Sequence, residues 1–550
     1  MEAARGGDRL SEGRSALEAA RWDAARAAFE AALEVEDTPE AREGLGEALW
    51  LLSEVQEGIA EVECAFEGYV RSGKSDRAAR AAVWVSHQYW LSGRASASRG
   101  WLARAERALT GAATGPGHGW VEVERARHAA SVEERIAHSE RAMAIGREAG
   151  AADLEIYALS LLGRAQVSAG RREEGMRLLE EAMAMASAGR AHDLHSLGEA
   201  YCNLIAACTG AGEMERAAEW CELVDDFARR CEMPPLFGVC RTIHADVLIA
   251  AGRWREAEHA LDSALAAHSR YVPQMGAPTV ATLAELRVRQ GRLPEAEQLL
   301  AGREEHPSSL RALALVRIAE GRPREAVTLL ERGLMGAGGD VIRTTQLLAP
   351  LVDARLACDD GPGAVAAVGE ITELARSSGI RLVGARADLA AARVANSLGG
   401  GSAPAEHARR ALAAFSHLSM PLDAGEARLE LARALYADAP ELARDEARTA
   451  FAAFQELGAS RAMDAAAAVL REFGAGTAPR PRAYGELTAR EREVLGLLGQ
   501  GMSNARIAHT LVISEKTAGH HVSRILSKLG VKNRAEAAAY AAREGAAEAR

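Results

Sequence analysis

Apolar residues recur along most of this chain at helical spacing, three or four positions apart. The stretch from Val55 to Tyr69 is typical. Val55, Ile59, Val62, Phe66 and Tyr69 share one face, and charged residues fill the other. Such stripes predict amphipathic helices in series. They are interrupted by a turn of the form Gly-Arg-x-x-Glu-Ala. It stands whole at Gly252–Ala257, Gly291–Ala296 and Gly321–Ala326, begins as Gly170-Arg171, and has a variant at Gly212–Ala217. Successive glycines lie 42, 40, 39 and 30 residues apart. A further variant, Ala20-Arg21-Trp22-Asp23-Ala24-Ala25, precedes Phe29, and breaks near Gly361, Gly400 and Asp438 continue a period of about 40.

Each part of this turn has a physical task. The Gly accepts the left-handed conformation that ends a helix. Pro294 and Pro323 suit the first turn of the next helix, where a missing N–H costs nothing. The Ala lets two antiparallel helices touch. One helix pair cannot bury its apolar stripe alone, so pairs stack into a solenoid. Over residues 8 to 470 the pattern resembles the tetratricopeptide family, in the long-helix form of regulators similar to the maltose-regulon activator. Stacked pairs of that kind curve around a concave groove that suits a peptide, a partner helix or a small ligand.

Composition supports an all-α fold. Hydrophobic residues make up 48% but aromatics only 4%, so Ala and Leu must build the core. The polar N-terminus shows no secretory signal and no apolar run is long enough for a membrane span, so a cytoplasmic protein without membrane contact is expected. The formal charge of −11 is uneven. Residues 480 to 550 carry 12 basic against 7 acidic side chains, which leaves the rest about −16. A basic end on an acidic body fits nucleic-acid binding at that end, and it favours a basic or neutral partner for the body. Five of the seven cysteines cluster at 202, 208, 221, 231 and 240 without a C-x-x-C spacing, which reads as helix packing and not as a metal site.

One match is set aside. Gly68-Tyr69-Val70-Arg71-Ser72-Gly73-Lys74-Ser75 satisfies the phosphate-loop pattern G-x-x-x-x-G-K-S. That loop works between a strand and a helix, whereas here the preceding residues are helical and Gly73 joins two helices. No nucleotide or other cofactor, no metal and no catalytic residue is expected, and no phosphoacceptor receiver domain is found.

The helical period fails in the Gly/Pro/Arg-rich stretch before residue 487. The expected division is a repeat body over 1–473, a linker over 474–486 and a terminal domain over 487–550. The terminal block contains L-T-x-R-E-x-E-V-L, G-x-S-N-x-x-I-A, I-S-x-x-T, H-V-x-x-I-x-x-K-L and R-A-x-A in order. Thr488 and Glu491 form a capping box for a helix with inner face Val494, Leu495 and Leu498, ended by Gly501. Ser503 caps a second, with Ile507, Ala508 and Leu511 inward. Ser514 caps a third, with Val522, Ile525, Leu526 and Leu529 inward, which Gly530 stops. Asn533 caps a fourth.

This block resembles the LuxR-type helix-turn-helix domain. The resemblance implies that the third helix enters the major groove of double-stranded DNA while the second braces it, with the fourth available for a homodimer contact. Lys516, His520 and Ser523 are then expected to face the bases. Ser503, Asn504, Thr517, His521, Arg524 and Lys528 are expected to hold the backbone. The chain departs from the family at Thr517-Ala518-Gly519-His520-His521, where Gly519 replaces a basic residue. The overall expectation is a non-enzymatic, sequence-specific transcription regulator, with an effector or protein partner at the body. The alternative is an interaction scaffold with a weak or vestigial DNA-binding domain.

Overall fold

The computed structural model describes residues 2–190, 193–231, 234–271, 276–399, 404–474, 489–500 and 502–511, together with 518, 519, 522, 525, 537, 538 and 541. Two compact units emerge, Met1–Val469 and Leu470–Arg550. All regular elements among the described residues are helices, with no strand.

The first unit is a solenoid of antiparallel helix pairs. Its turns show the expected chemistry. Gly170, Gly212, Gly252, Gly291 and Gly321 all have φ between +75° and +85°. Where the Gly is absent the turn persists, with Ala20, Ser53, Asp359 and Ser419 in the same left-handed region. Five positions after the left-handed residue stands a small side chain with no solvent exposure, as at Ala25, Ala217, Ala257, Ala296, Ala326 and Ala364. At Gly163 and Gly175 the two helices come closer still. A Cβ added at Gly163 would lie 2.7 Å from the carbonyl oxygen of Gly175.

The Arg and Glu of the turn clamp each other. Arg253 donates two hydrogen bonds to Glu256 at 2.8 and 2.6 Å, and Arg292–Glu295 and Arg322–Glu325 repeat the arrangement. These pairs are exposed and screened by solvent, so each contributes little to its helix start. The buried Ala, not the clamp, carries the packing.

The phosphate-loop match falls on a helix–helix turn. Its first residues end the helix Val55–Arg71, Gly73 takes φ +69°, and Ser75 opens the helix Ser75–Leu91. Lys74 is exposed, and its Nζ is 2.5 Å from Glu40 Oε1 on the preceding helix pair, an ion pair on the surface of the solenoid. Among the clustered cysteines, the buried Cys202 and Cys240 sulfurs meet at 2.8 Å. Burial pushes the Cys208 and Cys221 thiols up to about 12, which leaves them protonated packing groups. Cys231 lies outside the residues whose side chains are described.

Successive turns of the superhelix touch. The Val132 backbone N–H donates to the Gly338 carbonyl at 2.8 Å. Gly170 packs on Ser378, and Gly252 on Leu457 and Pro421. Partners such as Val132 and Gly338 are about 205 residues apart, so one superhelical turn takes about five repeats. Cavities of about 560 and 640 Å³ lie between residues of successive turns.

A buried polar network supports the wall of the first repeats. Glu124, with no solvent exposure, accepts hydrogen bonds from Ser86 Oγ at 2.8 Å and Arg127 at 2.8 Å, and stands 3.2 Å from His128 Nε2. Burial alone would raise its carboxyl. The partners His128, Arg127 and His87 outweigh burial and hold it at about 2.

No helix among the described residues is long and apolar enough to cross a membrane.

Candidate nucleic-acid interface

The terminal unit is organised by a small apolar core. The helix Ala489–Gly499 contributes Val494, Leu495 and Leu498. The helix Asn504–Leu511 contributes Ile507 and Ala508, with Leu511 partly buried. Ala518, Val522 and Ile525 complete one side and Ala537 another, all buried. The spacing 518, 522, 525 is one helical face. At the far end, a Cβ on Gly499 would lie 2.9 Å from Ala541 Cβ, so the last helical segment packs against the end of the first helix.

The turn between the first two helices carries the expected Ser503 cap. The Met502 N–H donates to the Leu497 carbonyl at 3.1 Å, the bond of a helix end folding back on itself. Gly501, Thr488 and the side chain of Glu491, on which the helix stop and the capping box were expected, lie outside the described residues. Ser503 is the second helix's cap. Its Oγ accepts the Arg506 N–H at 3.3 Å, and its carbonyl accepts the Ile507 N–H at 2.9 Å.

The expected DNA-contacting residues divide into two groups. Ser503 is exposed, with its side-chain oxygen engaged in the cap, so only its hydroxyl proton is left to offer a phosphate. Asn504 is half-buried, and its Nδ2 stands 3.6 Å from the point where a Cβ on residue 519 would be. It therefore faces the segment after the turn. Lys516, Thr517, His520, His521, Ser523, Arg524 and Lys528 lie outside the described residues, as do Ser514, Leu526, Leu529, Gly530 and Asn533. One residue escaped the sequence reading. Arg506 is exposed one turn into the second helix, beside the cap. A signal was present: it is a basic residue on the polar side of a helix whose inner face, Ile507 and Ala508, was already assigned.

Two family models match the chain. One, described as bacterial regulatory proteins of the luxR family, covers residues 485–541. The other, a tetratricopeptide repeat, covers residues 10–63. The chain is 40% identical over 91 residues to the DNA-binding transcriptional activator DevR/DosR of Mycobacterium tuberculosis, a match of 16% of this chain and 42% of that protein. It is 48% identical over 66 residues to the transcriptional regulatory protein LnrK of Bacillus subtilis, 12% of this chain and 30% of that one. The chain thus spans less than half the length of either relative. With the spore germination protein GerE of Bacillus subtilis the identity is 48% over 62 residues, 11% of this chain but 84% of GerE. On that coverage, the chain belongs to the luxR family of bacterial regulatory proteins.

Proposed function

We propose that this protein is a sequence-specific transcription regulator that binds double-stranded DNA through its terminal unit, as a homodimer, and receives a signal through its repeat body. The observation that carries the reading is the inward face made by Ala518, Val522 and Ile525. By sequence spacing, positions 516, 520 and 523 stand opposite 518, 522 and 525 on a helical wheel. Lys516, His520 and Ser523 are the base-facing set on that reading, and Thr517, His521, Arg524 and Lys528 flank them as phosphate anchors. Ser503, Asn504 and the exposed Arg506 extend the anchoring surface from the bracing helix. DevR/DosR and LnrK, named as transcriptional regulators, support the assignment to transcription. The repeat body binds an effector or a protein partner and carries no chemistry of its own.

The test is a fragment from Pro479 to Arg550. It should bind duplex DNA without the body, and the affinity should fall steeply with salt as phosphate contacts release counterions. A folded fragment that shows no DNA binding even at low salt would overturn this reading in favour of an interaction scaffold.

A further inference from the structure

Arg135 and Arg164 sit on the paired helices Val132–Ala149 and Ala152–Ser168, Arg343 about 180 residues further on, yet all three line one cavity of about 560 Å³ in the repeat body. The stacking of one superhelical turn on the next creates it. Val132 and Gly338, whose backbones are hydrogen-bonded, lie a few residues from Arg135 and Arg343 respectively. An organic ligand fits such a volume, whereas a bare ion would leave most of it empty.

The charges in this cavity are unbalanced. Among the described residues, none of these three arginines forms an ion pair. Arg164 donates to the neutral Asn203 Oδ1 at 3.1 Å. Arg311, on the same wall, is paired with Glu285 at 3.0 Å, while its buried Nε has no hydrogen-bond partner. The nearby Asp340 accepts the Arg343 backbone N–H at 2.9 Å and caps that helix. Arg127 also lines the cavity but is paired with Glu124 at 2.8 Å, so three guanidinium charges without an ion pair face one carboxylate, Asp340. Burial, then the charges of Arg164 and Arg343, push the Arg135 guanidinium below its ordinary value, with Asp340 opposing. Arg135 and Arg343 are half-buried and Arg164 is exposed, and like charges held together at partly buried positions cost free energy unless something of opposite sign joins them. Leu161, Val167, Ile342 and Leu347 supply apolar wall between the cations, and Ser308 and Gln346 supply neutral polar groups.

The geometry points to a binding site for a small organic dianion, carrying carboxylate or phosphate groups, clamped by Arg135, Arg164 and Arg343 between two turns of the superhelix. Two negative charges would neutralise the excess. Guanidinium forks match the planar oxygens of carboxylate and phosphate alike. The acidic average of the body, which favours a basic or neutral partner, does not describe this cavity. The site supplies a ligand class for the signal in the function proposed above, and it rests on that reading only for its consequence at DNA.

The experiment uses the full-length protein. Succinate and phenyl phosphate, both organic dianions, are titrated by calorimetry at constant ionic strength, with chloride as control, and the two probes separate carboxylate from phosphate recognition. At least one should bind with a dissociation constant near or below about 1 mM. Arg135→Gln and Arg343→Gln should each weaken it about tenfold or more, the worth of one charge-assisted contact. Arg135→Lys, which keeps the charge but not the fork, should weaken it less. Without ligand, Arg135→Gln should melt no lower than the parent, because one of three repelling charges has gone. A merely structural arginine would give the opposite result. The site is refuted by absence of anion-specific binding, by binding that survives both Gln variants (an adventitious surface anion only), or by a lower melting point for ligand-free Arg135→Gln. Parallel DNA titrations separate the two readings. Anion binding that leaves DNA affinity unchanged keeps the site and defeats the signalling role.

Discussion

Gly519 offers a substitution whose effect can be worked out from the structure. It is helical, yet Gly in a helix interior is about 1 kcal/mol less favourable than Ala. The family resemblance places a basic residue there. Among the described residues, a Cβ at 519 would meet Asn504 Nδ2 at 3.6 Å, an ordinary van der Waals contact, and nothing nearer. No steric term therefore offsets the helix propensity. Gly519→Ala should stabilise the 479–550 fragment by about 1 kcal/mol, which for so small a domain raises the melting temperature by about 4–8 °C. Gly519→Lys should keep most of that gain and add one phosphate contact. Its DNA affinity should rise, and the slope of log affinity against log salt should steepen by about 0.9. Thermal unfolding followed by circular dichroism reads the first effect, and fluorescence polarisation with labelled duplex at several salt concentrations reads the second. A lower melting temperature for Gly519→Ala would show that residue 519 does not sit in an open helical position. An unchanged salt slope for Gly519→Lys would place this side chain away from the DNA backbone.

Ile507 has no solvent exposure and sits in a core of few residues, so Ile507→Ala should cost about 2–5 kcal/mol. That is comparable with the whole stability of a domain this size, and DNA binding should be lost while the helical signal of the body persists. Glu124→Gln should destabilise the body by about 3–5 kcal/mol at pH 7, because Arg127 and His128 lose a buried charge partner. The Glu124 carboxyl is depressed to about 2 from an ordinary 4.5, so its contribution is present above about pH 4.5 and lost as pH falls toward 2. The stability gap between parent and variant should then narrow by about 3 kcal/mol over that window, as urea unfolding at stepped pH would show. Lys74→Ala should leave regulation of a target promoter unaffected, and calorimetry should detect no micromolar ATP binding that depends on Lys74, since its ammonium is committed to Glu40.

Much of the fold was legible because each repeat writes its turn locally. Gly-Arg-x-x-Glu-Ala encodes a left-handed residue, a clamp and a buried small side chain within six positions. Where Ser53, Asp359 or Ser419 takes the left-handed place, that signal vanishes from the sequence although the turn remains. The next break was accordingly expected near Gly361, while the left-handed residue is Asp359. In the terminal unit, the inner faces were readable from helical spacing and the Ser503 cap from its residue type. Contact between superhelical turns was not readable at all. It depends on the summed rotation of about five repeats, which no local pattern records. Arg135, Arg164 and Arg343 look in sequence like three ordinary helix-surface arginines; pairing of the helices Val132–Ala149 and Ala152–Ser168 joins the first two, and only the closing of the coil brings Arg343 to them.

That closing also changes how the body responds to force and to heat. An open solenoid behaves like an extension spring, in which each repeat touches only its neighbours and can fray independently from either end. The Val132–Gly338 hydrogen bond and the packing of Gly252 on Leu457 turn this body into a coil wound tight. Compression is resisted by hard contact, and stretching must first part the turns. Loss of one middle repeat would unseat another about 205 residues away, so melting should run through the whole coil as a single event and not repeat by repeat.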